Sequence, residues 1–157
     1  MYEVRNGNRV MRFEGRHLAN SSSKRPGSPR WIEFDLYKTE GGKYVLSRVG
    51  VSHVYHSSVC PLVSRYGLHE AHSADLSPLA VPCEDCDADA VMDPMIFPET
   101  FRYWTLVSDE PEAILEALYK PDGFGARYLT RVAERLLQAA AAQDADLDMV
   151  YRFEWVD

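Results

Sequence analysis

Between residues 31 and 55, two segments in which apolar and polar residues alternate are separated by a pair of glycines. In the segment 31–37, Ile32, Phe34 and Leu36 fall on one face, while Trp31, Glu33, Asp35 and Tyr37 fall on the other. Residues 38–43 form the loop, where two glycines supply the positive φ angles that a tight reversal needs. Residues 44–55 return as a long strand, with Gly50 as the candidate break. The pattern predicts an antiparallel hairpin whose apolar face must be buried against other elements of the fold.

The remaining periodic segments predict further strands and the helices that bury the apolar face of the sheet. Strands are predicted on both sides of Asn6-Gly7, over residues 100–107 and over Val150–Val156, and helices after Ser108 or Asp109 and over Ala126–Ala142. At 157 residues and 46% apolar composition, one domain is expected. We therefore predict an α+β fold over residues 1–157, in which an antiparallel sheet of about four to six strands is covered by two C-terminal helices.

Residues 56–98 differ from the rest because they show no helical or strand period. They contain all three cysteines, including the pair Cys83-Glu84-Asp85-Cys86. Two thiolates at this spacing curl around one ion, and Cys60, with His56 four residues before it, completes a four-ligand set. The sequence thus predicts a Zn²⁺ ion held by His56, Cys60, Cys83 and Cys86, which pins an irregular insertion between residues 1–55 and residues 99–157.

Alternatives to this closed zinc site start from the same residues. His53, His69 and His72 compete with His56 for the fourth position. A redox-active pair is disfavoured because nearby carboxylates raise a thiol pKa. Pro82 before the first cysteine matches half of the zinc deaminase pattern, but His69 and Glu70 are adjacent where that pattern needs one residue between them. A zinc-dependent hydrolase or deaminase is therefore the third functional reading, after two non-enzymatic ones.

Charge is unevenly distributed along the chain. Residues 1–50 hold ten Lys or Arg and five Asp or Glu, whereas residues 51–157 hold seven and nineteen, for a net charge of -7. The loop at residues 20–30 is basic and rich in turn residues. Its Lys24, Arg25 and Arg30 could follow a phosphate backbone while Trp31 stacks on bases. The clusters around the cysteine knuckle and at Asp144, Asp146 and Asp148 could instead present acidic groups to a basic protein partner.

A limited resemblance to a known family lies in the N-terminal half. The residues Arg12-Phe13-Glu14-Gly15-Arg16-His17-Leu18-Ala19, followed by Tyr37-Lys38-Thr39-Glu40-Gly41-Gly42-Lys43, resemble the EXLDI type of small actinobacterial proteins, which share the pattern R-F-x-G-x-x-L-A and then Y-R-T-x-x-G-K. The chain lacks that family's N-terminal helical segment and naming motif, and it adds the cysteine block. The resemblance implies an origin in a mobile element or phage and no catalytic residue.

These observations lead to one functional expectation and one alternative. The first is a non-enzymatic, zinc-stabilised binding or regulatory protein of a mobile element, phage or defence system, which acts through a protein partner. The alternative is a small nucleic-acid-binding module that uses the basic N-terminal half. The chain shows no apolar stretch long enough for a membrane-spanning helix and no apolar leader at its start, so a cytoplasmic location is expected.

Overall fold

The structure, a computed structural model, describes residues 1–55, 69–70, 81–82, 100–153 and 156. Within these ranges the chain is α+β. Its elements, in chain order, are β1 (Tyr2–Asn6), β2 (Arg9–Phe13), β3 (Gly15–Ser22), β4 (Arg30–Thr39), β5 (Tyr44–Ser52), β6 (Val54–Tyr55), β7 (His69–Glu70), β8 (Val81–Pro82), β9 (Thr100–Ser108), α1 (Pro111–Leu118), β10 (Lys120–Pro121), β11 (Arg127–Tyr128), α2 (Arg131–Ala141) and α3 (Ala145–Arg152).

The main sheet has the strand order β3-β4-β5-β9-β7, and every neighbouring pair is antiparallel. Four of these strands are long, and β7 adds two residues at the edge. The register places Ile32, Phe34 and Leu36 opposite Gly50, Arg48 and Leu46, so these residues share one face of the sheet. The predicted hairpin is confirmed, and so is the prediction that Ile32, Phe34 and Leu36 lie on one face of it. The helices cover this face.

The core lies between that sheet face and the three helices. It is formed by Leu36 and Leu46 of the sheet together with Ile114 of α1, Leu136 and Leu137 of α2, and Leu147 of α3, all of which are fully buried. The opposite face of the sheet is covered by the predicted β1–β2 hairpin, in which Tyr2 pairs with Phe13. The described chain therefore has three layers: hairpin, sheet and helices.

The hairpin is attached to the sheet by backbone and aromatic contacts. The Gly7 N–H donates to the Tyr103 carbonyl at 2.8 Å, and the Thr105 hydroxyl donates to the Arg5 carbonyl at 2.7 Å. The ring of Tyr37 lies 4.8 Å from that of Tyr2 and 5.3 Å from that of Phe13. Gly7 has a φ of +57°, as the first position of a two-residue hairpin loop of type II′ requires.

The predicted final strand over Val150–Val156 is wrong for residues 150–152, which belong to α3. The Asp144 carboxylate accepts a hydrogen bond from the Leu147 N–H at 2.9 Å and thereby caps this helix. Arg152 forms an ion pair of 3.0 Å with Asp148 one turn earlier. The helix cap and the burial of Leu147 outweighed the strand preference indicated by the alternation of polar and apolar residues from Val150 onward. The C-terminal part of the described chain therefore has three helices rather than the two predicted.

Other element boundaries also differ from the prediction. Helix α2 begins at Arg131 rather than at residue 126, because the Thr130 side chain caps it by accepting from the Ala133 N–H at 3.3 Å. Helix α1 begins at Pro111 after Glu110, whose side chain makes no capping hydrogen bond. The long return strand ends at Ser52, while Gly50 is paired inside it. The predicted loop at 20–30 is shorter, since β3 continues to Ser22 and β4 begins at Arg30.

The described ranges bear differently on the predicted zinc-pinned insertion and on the expected absence of a membrane-spanning helix. Most of the predicted zinc-pinned insertion, including His56, Cys60, Cys83 and Cys86, lies outside the residues that the structure describes. Across the ranges given above, no helix has the length and apolar character needed to cross a membrane.

Candidate nucleic-acid interface

A groove of about 500 Å³ lies between the segment that follows β3 and the first half of α2. Its lining is dominated by cationic side chains, with one carboxylate among them. The residues are Ser22, Ser23, Lys24, Arg25, Thr130, Arg131, Val132, Glu134, Arg135 and Gln138. We call Lys24, Arg25, Arg131 and Arg135, together with the groove that they line, the basic groove. Four positive charges against one negative charge make it an electrostatic site for anions.

Local hydrogen bonds hold the first side of the basic groove. Ser23 is attached to β4 twice, because its N–H donates to the Ile32 carbonyl at 2.9 Å and its hydroxyl accepts from the Ile32 N–H at 2.8 Å. The Lys24 N–H donates to the Ser22 hydroxyl at 3.1 Å. The Arg25 carbonyl accepts from the Ser28 N–H at 3.1 Å, which closes a turn around Gly27. The segment is thus tied to the sheet at the point where Lys24 and Arg25 leave it.

The second side of the basic groove is the exposed face of α2. Val132 and Leu136 point into the core, and this leaves Arg131 and Arg135 exposed one turn apart. Two like charges at this spacing destabilise a helix slightly, and an anion bound between them would remove that cost. The first turn of a helix also presents unsatisfied N–H groups and the positive end of the helix dipole. Arg131 is the first residue of α2, so this dipole adds to the charge of the groove.

The cations of the basic groove differ from half of the other Lys and Arg side chains in the described ranges in having no carboxylate partner. Six other Lys or Arg side chains form ion pairs: Arg12, Arg16, Lys38, Lys43, Arg127 and Arg152. Within the described ranges, none of the four groove cations lies within ion-pair distance of an Asp or Glu. Their charge is therefore available to a ligand, although the net charge of the chain is negative.

A group of acidic residues lies at the other end of the sheet, around Asp144. This carboxylate, whose side chain is only 2% exposed, accepts from Lys38 Nζ at 2.6 Å and from the Tyr44 hydroxyl at 2.7 Å. Arg16 adds a longer contact of 3.4 Å. Asp146 lies 3.6 Å from Lys38, and Asp109 forms a 2.8 Å ion pair with Lys43 nearby in the β4–β5 loop.

The contacts of Asp144 determine its charge state. Burial raises the pKa of this carboxyl, but hydrogen bonds from Lys38, Tyr44 and the Leu147 N–H outweigh burial, so the pKa lies below its usual value. Burial, followed by the hydrogen bond with Asp144, raises the pKa of Tyr44 to about 12. Both oxygens of Asp144 are occupied by these donors, as suits a structural helix cap. The expectation that Asp144 presents acid to a partner is therefore not supported by its burial.

Replacing Asp144 by alanine should lower the free energy of unfolding by about 3 kcal/mol, since it removes a helix cap and leaves Lys38 without its shortest partner. Asp146→Ala is the matched control, because Asp146 is 78% exposed, and should cost no more than about 0.5 kcal/mol. Chemical denaturation measures both. Because the folded-state pKa of Asp144 is depressed, its contribution is present above about pH 4 and is lost as the pH falls through the folded-state pKa. Equal losses for the two variants would contradict the assignment.

The residues predicted to bind nucleic acid are separated by the structure. Lys24 and Arg25 line the basic groove, whereas Arg30 is exposed outside its lining. Trp31 is only 8% exposed, its ring is approached by Lys24 Nζ at 4.8 Å, and its Nε1 donates to Glu33 at 3.2 Å. This burial leaves little ring surface for a base, so Trp31 is a support for Lys24 rather than a stacking platform.

The sequence does not single out Arg131 and Arg135, because in the predicted helix over residues 126–142 they fall on the face opposite Val132 and Leu136, where charged residues are ordinary. The available signal was the i, i+4 spacing of the two arginines, flanked four residues away on each side by Arg127 and Ala139 rather than by an acidic residue. Nothing in the sequence places that helix beside residues 22–25, which are more than a hundred positions away. The contact depends on α2 packing across β3, a tertiary feature.

All four predicted zinc ligands lie outside the residues that the structure describes. His56, Cys60, Cys83, Cys86 and His72 lie beyond the described residues, and His69 lies in β7 opposite Phe101. The alternative ligand His53 has its ring 5.2 Å from the ring of Trp31, and its backbone N–H donates to the Pro29 carbonyl. Among the residues that are described, no three His, Cys, Asp or Glu side chains are grouped as a metal site. Zinc binding stays a prediction from the sequence.

Comparison with known proteins found no match among family models, curated proteins or solved structures. The resemblance to the EXLDI type stays an expectation from two short motifs.

Proposed function

We propose that this protein is a non-enzymatic nucleic-acid-binding protein that holds a phosphate backbone in the basic groove. The observation that carries the proposal is the convergence of Lys24, Arg25, Arg131 and Arg135, unpaired with carboxylates, on one concave surface. Phosphates of nucleic acid release condensed counterions when such side chains neutralise them, and this release supplies most of the affinity. Of the two non-enzymatic readings of the sequence, the groove favours this one.

The acidic composition of the chain is compatible with this proposal because its charges are segregated. The Asp144 network and Asp109 lie at the end of the sheet where β4 turns into β5, and their cationic neighbours Lys38, Lys43 and Arg16 are paired there. The basic groove lies near the opposite end, where β4 begins. A polyanion that approaches this end meets unpaired cations first, and at physiological salt the charges at the far end are screened over about 8 Å.

Other parts of the sequence-based account remain proposals beside this one. A zinc ion bound by Cys60, Cys83 and Cys86, with His56 as the fourth ligand, would act as a structural staple for the segment between β6 and β9. A role in a mobile element or phage, a cytoplasmic location and a protein partner stay predictions. None of them conflicts with a basic groove that binds nucleic acid.

The salt dependence of binding tests the proposed function. Fluorescence anisotropy with labelled DNA and RNA oligonucleotides should show binding at about 50 mM salt, and the affinity should fall with a log-log slope of about -3 if four phosphates are neutralised. Lys24→Ala combined with Arg25→Ala should reduce the magnitude of that slope by about 1.4, because two fewer counterions are released. Failure of the wild-type protein to bind any DNA or RNA at low salt would remove the proposed function.

A further inference from the structure

A second group of cations lies on the same sheet face, next to the basic groove. Arg48 of β5 and Arg102 of β9 border a pocket of about 430 Å³ whose other lining residues are Ile32, Gly50, Tyr103 and Trp104. The Arg48 guanidinium lies over the Trp104 ring, 5.1 Å from its centroid. Neither arginine forms an ion pair with any residue in the described ranges. We call Arg48, Arg102 and Trp104 the arginine pair site.

Gly50 lets the two arginines lie together, because it is two residues after Arg48 on the same face of β5 and directly opposite Arg102 in β9. Gly50 is opposite Ile32 on one side and opposite Arg102 on the other. A Cβ atom at position 50 would lie 3.2 Å from Arg102 Nε and 3.3 Å from its Nη2. The absence of a side chain there lets Arg102 lie flat across β5. Desolvation and the neighbouring Arg102 both lower the pKa of Arg48, so the pair repels itself until an anion is bound.

The arginine pair site is in line with the basic groove across the sheet. Ser23 lines the groove and is hydrogen-bonded to Ile32, which lines the pocket of the arginine pair site. Continuing along the same row of the sheet, Ile32 is opposite Gly50, and Gly50 is opposite Arg102. Three strand spacings of about 4.8 Å separate the ends of this row, or about 14 Å in total. At about 3.4 Å per stacked nucleotide, that distance corresponds to about four nucleotides.

We propose that the ligand is a single strand of nucleic acid that runs from the basic groove across the sheet to the arginine pair site. This inference rests on the proposed function and specifies its ligand. Arg102 and Arg48 bind a phosphate some nucleotides away from the groove, and the guanidinium plane of Arg48, supported by Trp104, offers a surface on which an unpaired base stacks. Guanidinium planes and aromatic rings are the surfaces on which splayed bases stack, and duplexes do not expose those base faces.

The dependence of binding on oligonucleotide length tests this inference separately from the proposed function. Binding of a dinucleotide and of a single strand of about twelve nucleotides should be measured for the wild-type protein and for Arg48→Gln with Arg102→Gln. The double variant should lose about tenfold in affinity for the long strand and about 1.4 in salt slope, and should bind the dinucleotide as the wild type does. Gly50→Ala, which keeps every charge and displaces Arg102, should weaken long-strand binding in the same direction.

Controls identify which claim fails. Arg9→Gln with Lys120→Gln removes the same charge from exposed residues that lack ion pairs in the described chain, and it should leave the affinity nearly unchanged. An unchanged long-strand affinity in the Arg48 and Arg102 variant, with groove variants still impaired, would overturn this inference alone. Tighter binding of a duplex than of the single strand, or of polyglutamate in place of nucleic acid, would overturn it too. No binding of any strand by the wild type would overturn both proposals.

Discussion

Replacing Lys24, Arg25, Arg131 and Arg135 together by glutamine should weaken binding of a single-stranded oligonucleotide by about 10²–10³-fold at low salt and reduce the magnitude of the salt slope by about 2.8. The loss should be this large because these side chains supply four of the phosphate contacts, and counterion release is close to additive over such contacts. The expected readout is an anisotropy titration repeated at several salt concentrations between about 50 and 200 mM.

Controls for this prediction must separate local from overall charge. Arg131→Gln with Arg135→Gln removes two charges from the groove, and Arg9→Gln with Lys120→Gln removes two from elsewhere on the surface. The first pair should lower affinity by at least tenfold more than the second. Circular dichroism should show that every variant keeps its fold, since the four groove side chains are exposed in the described structure. Equal losses for the two pairs would show that net charge, and not the groove, governs binding.

Replacing Cys83 by serine should release about one equivalent of zinc, lower the melting temperature and raise the protease sensitivity of residues 56–98. Closed zinc sites in small modules supply about 10–16 kcal/mol, which offsets the ordering of about ten residues around the ligands at about 1–2 kcal/mol per backbone residue. Elemental analysis of chelator-free protein, thermal melting and limited proteolysis measure the three effects. The core around Leu36 and Leu136 should persist, because its residues belong to other elements.

Histidine variants identify the fourth zinc ligand. His56→Ala should reduce zinc content as Cys83→Ser does, while His69→Ala and His72→Ala should leave it unchanged if the predicted set is correct. Because three thiolates reduce the Lewis acidity of the ion, the metal is expected to hold structure. A Cys83→Ser protein that melts like the wild type, keeps its metal and loses a hydrolytic or deaminase activity would contradict this account. So would purified wild-type protein without zinc.

The extent to which the fold followed from the sequence depended on the range of the interactions. The hairpin formed by β4 and β5 was predictable because Ile32, Phe34 and Leu36 alternate with polar residues and Gly42, with a φ of +87°, marks the reversal. The final helix α3 was not, since the residues from Val150 onward also alternate. What decided between helix and strand was Asp144, whose carboxylate caps α3 while it is bound to Lys38 and Tyr44, which lie a hundred or more positions away in the sequence.

The candidate site was half predictable for the same reason. Lys24 and Arg25 stand out in a segment rich in serine, and that local composition already indicated a phosphate-binding loop. Arg131 gave only the i, i+4 spacing with Arg135, and Arg48 gave no signal, because a charged residue on an exposed helix face or in a strand is ordinary. Only the packing of α2 against β3 and the pairing of β5 with β9 bring them onto one face of the sheet. Trp31 shows the converse, since its burial depends on neighbours that the local sequence does not specify.

Chemical-shift mapping of the backbone amides tests the central claim most directly. A titration of isotope-labelled protein with a short single-stranded oligonucleotide at low salt should shift amides at residues 22–25 and 130–138. It should leave those of the β1–β2 hairpin and of residues 109–112 unchanged, because these lie on the other sheet face and at the acidic end. Shifts confined to the hairpin or to the acidic end, or no shifts at saturating oligonucleotide, would contradict the assignment of the basic groove as a nucleic-acid-binding site.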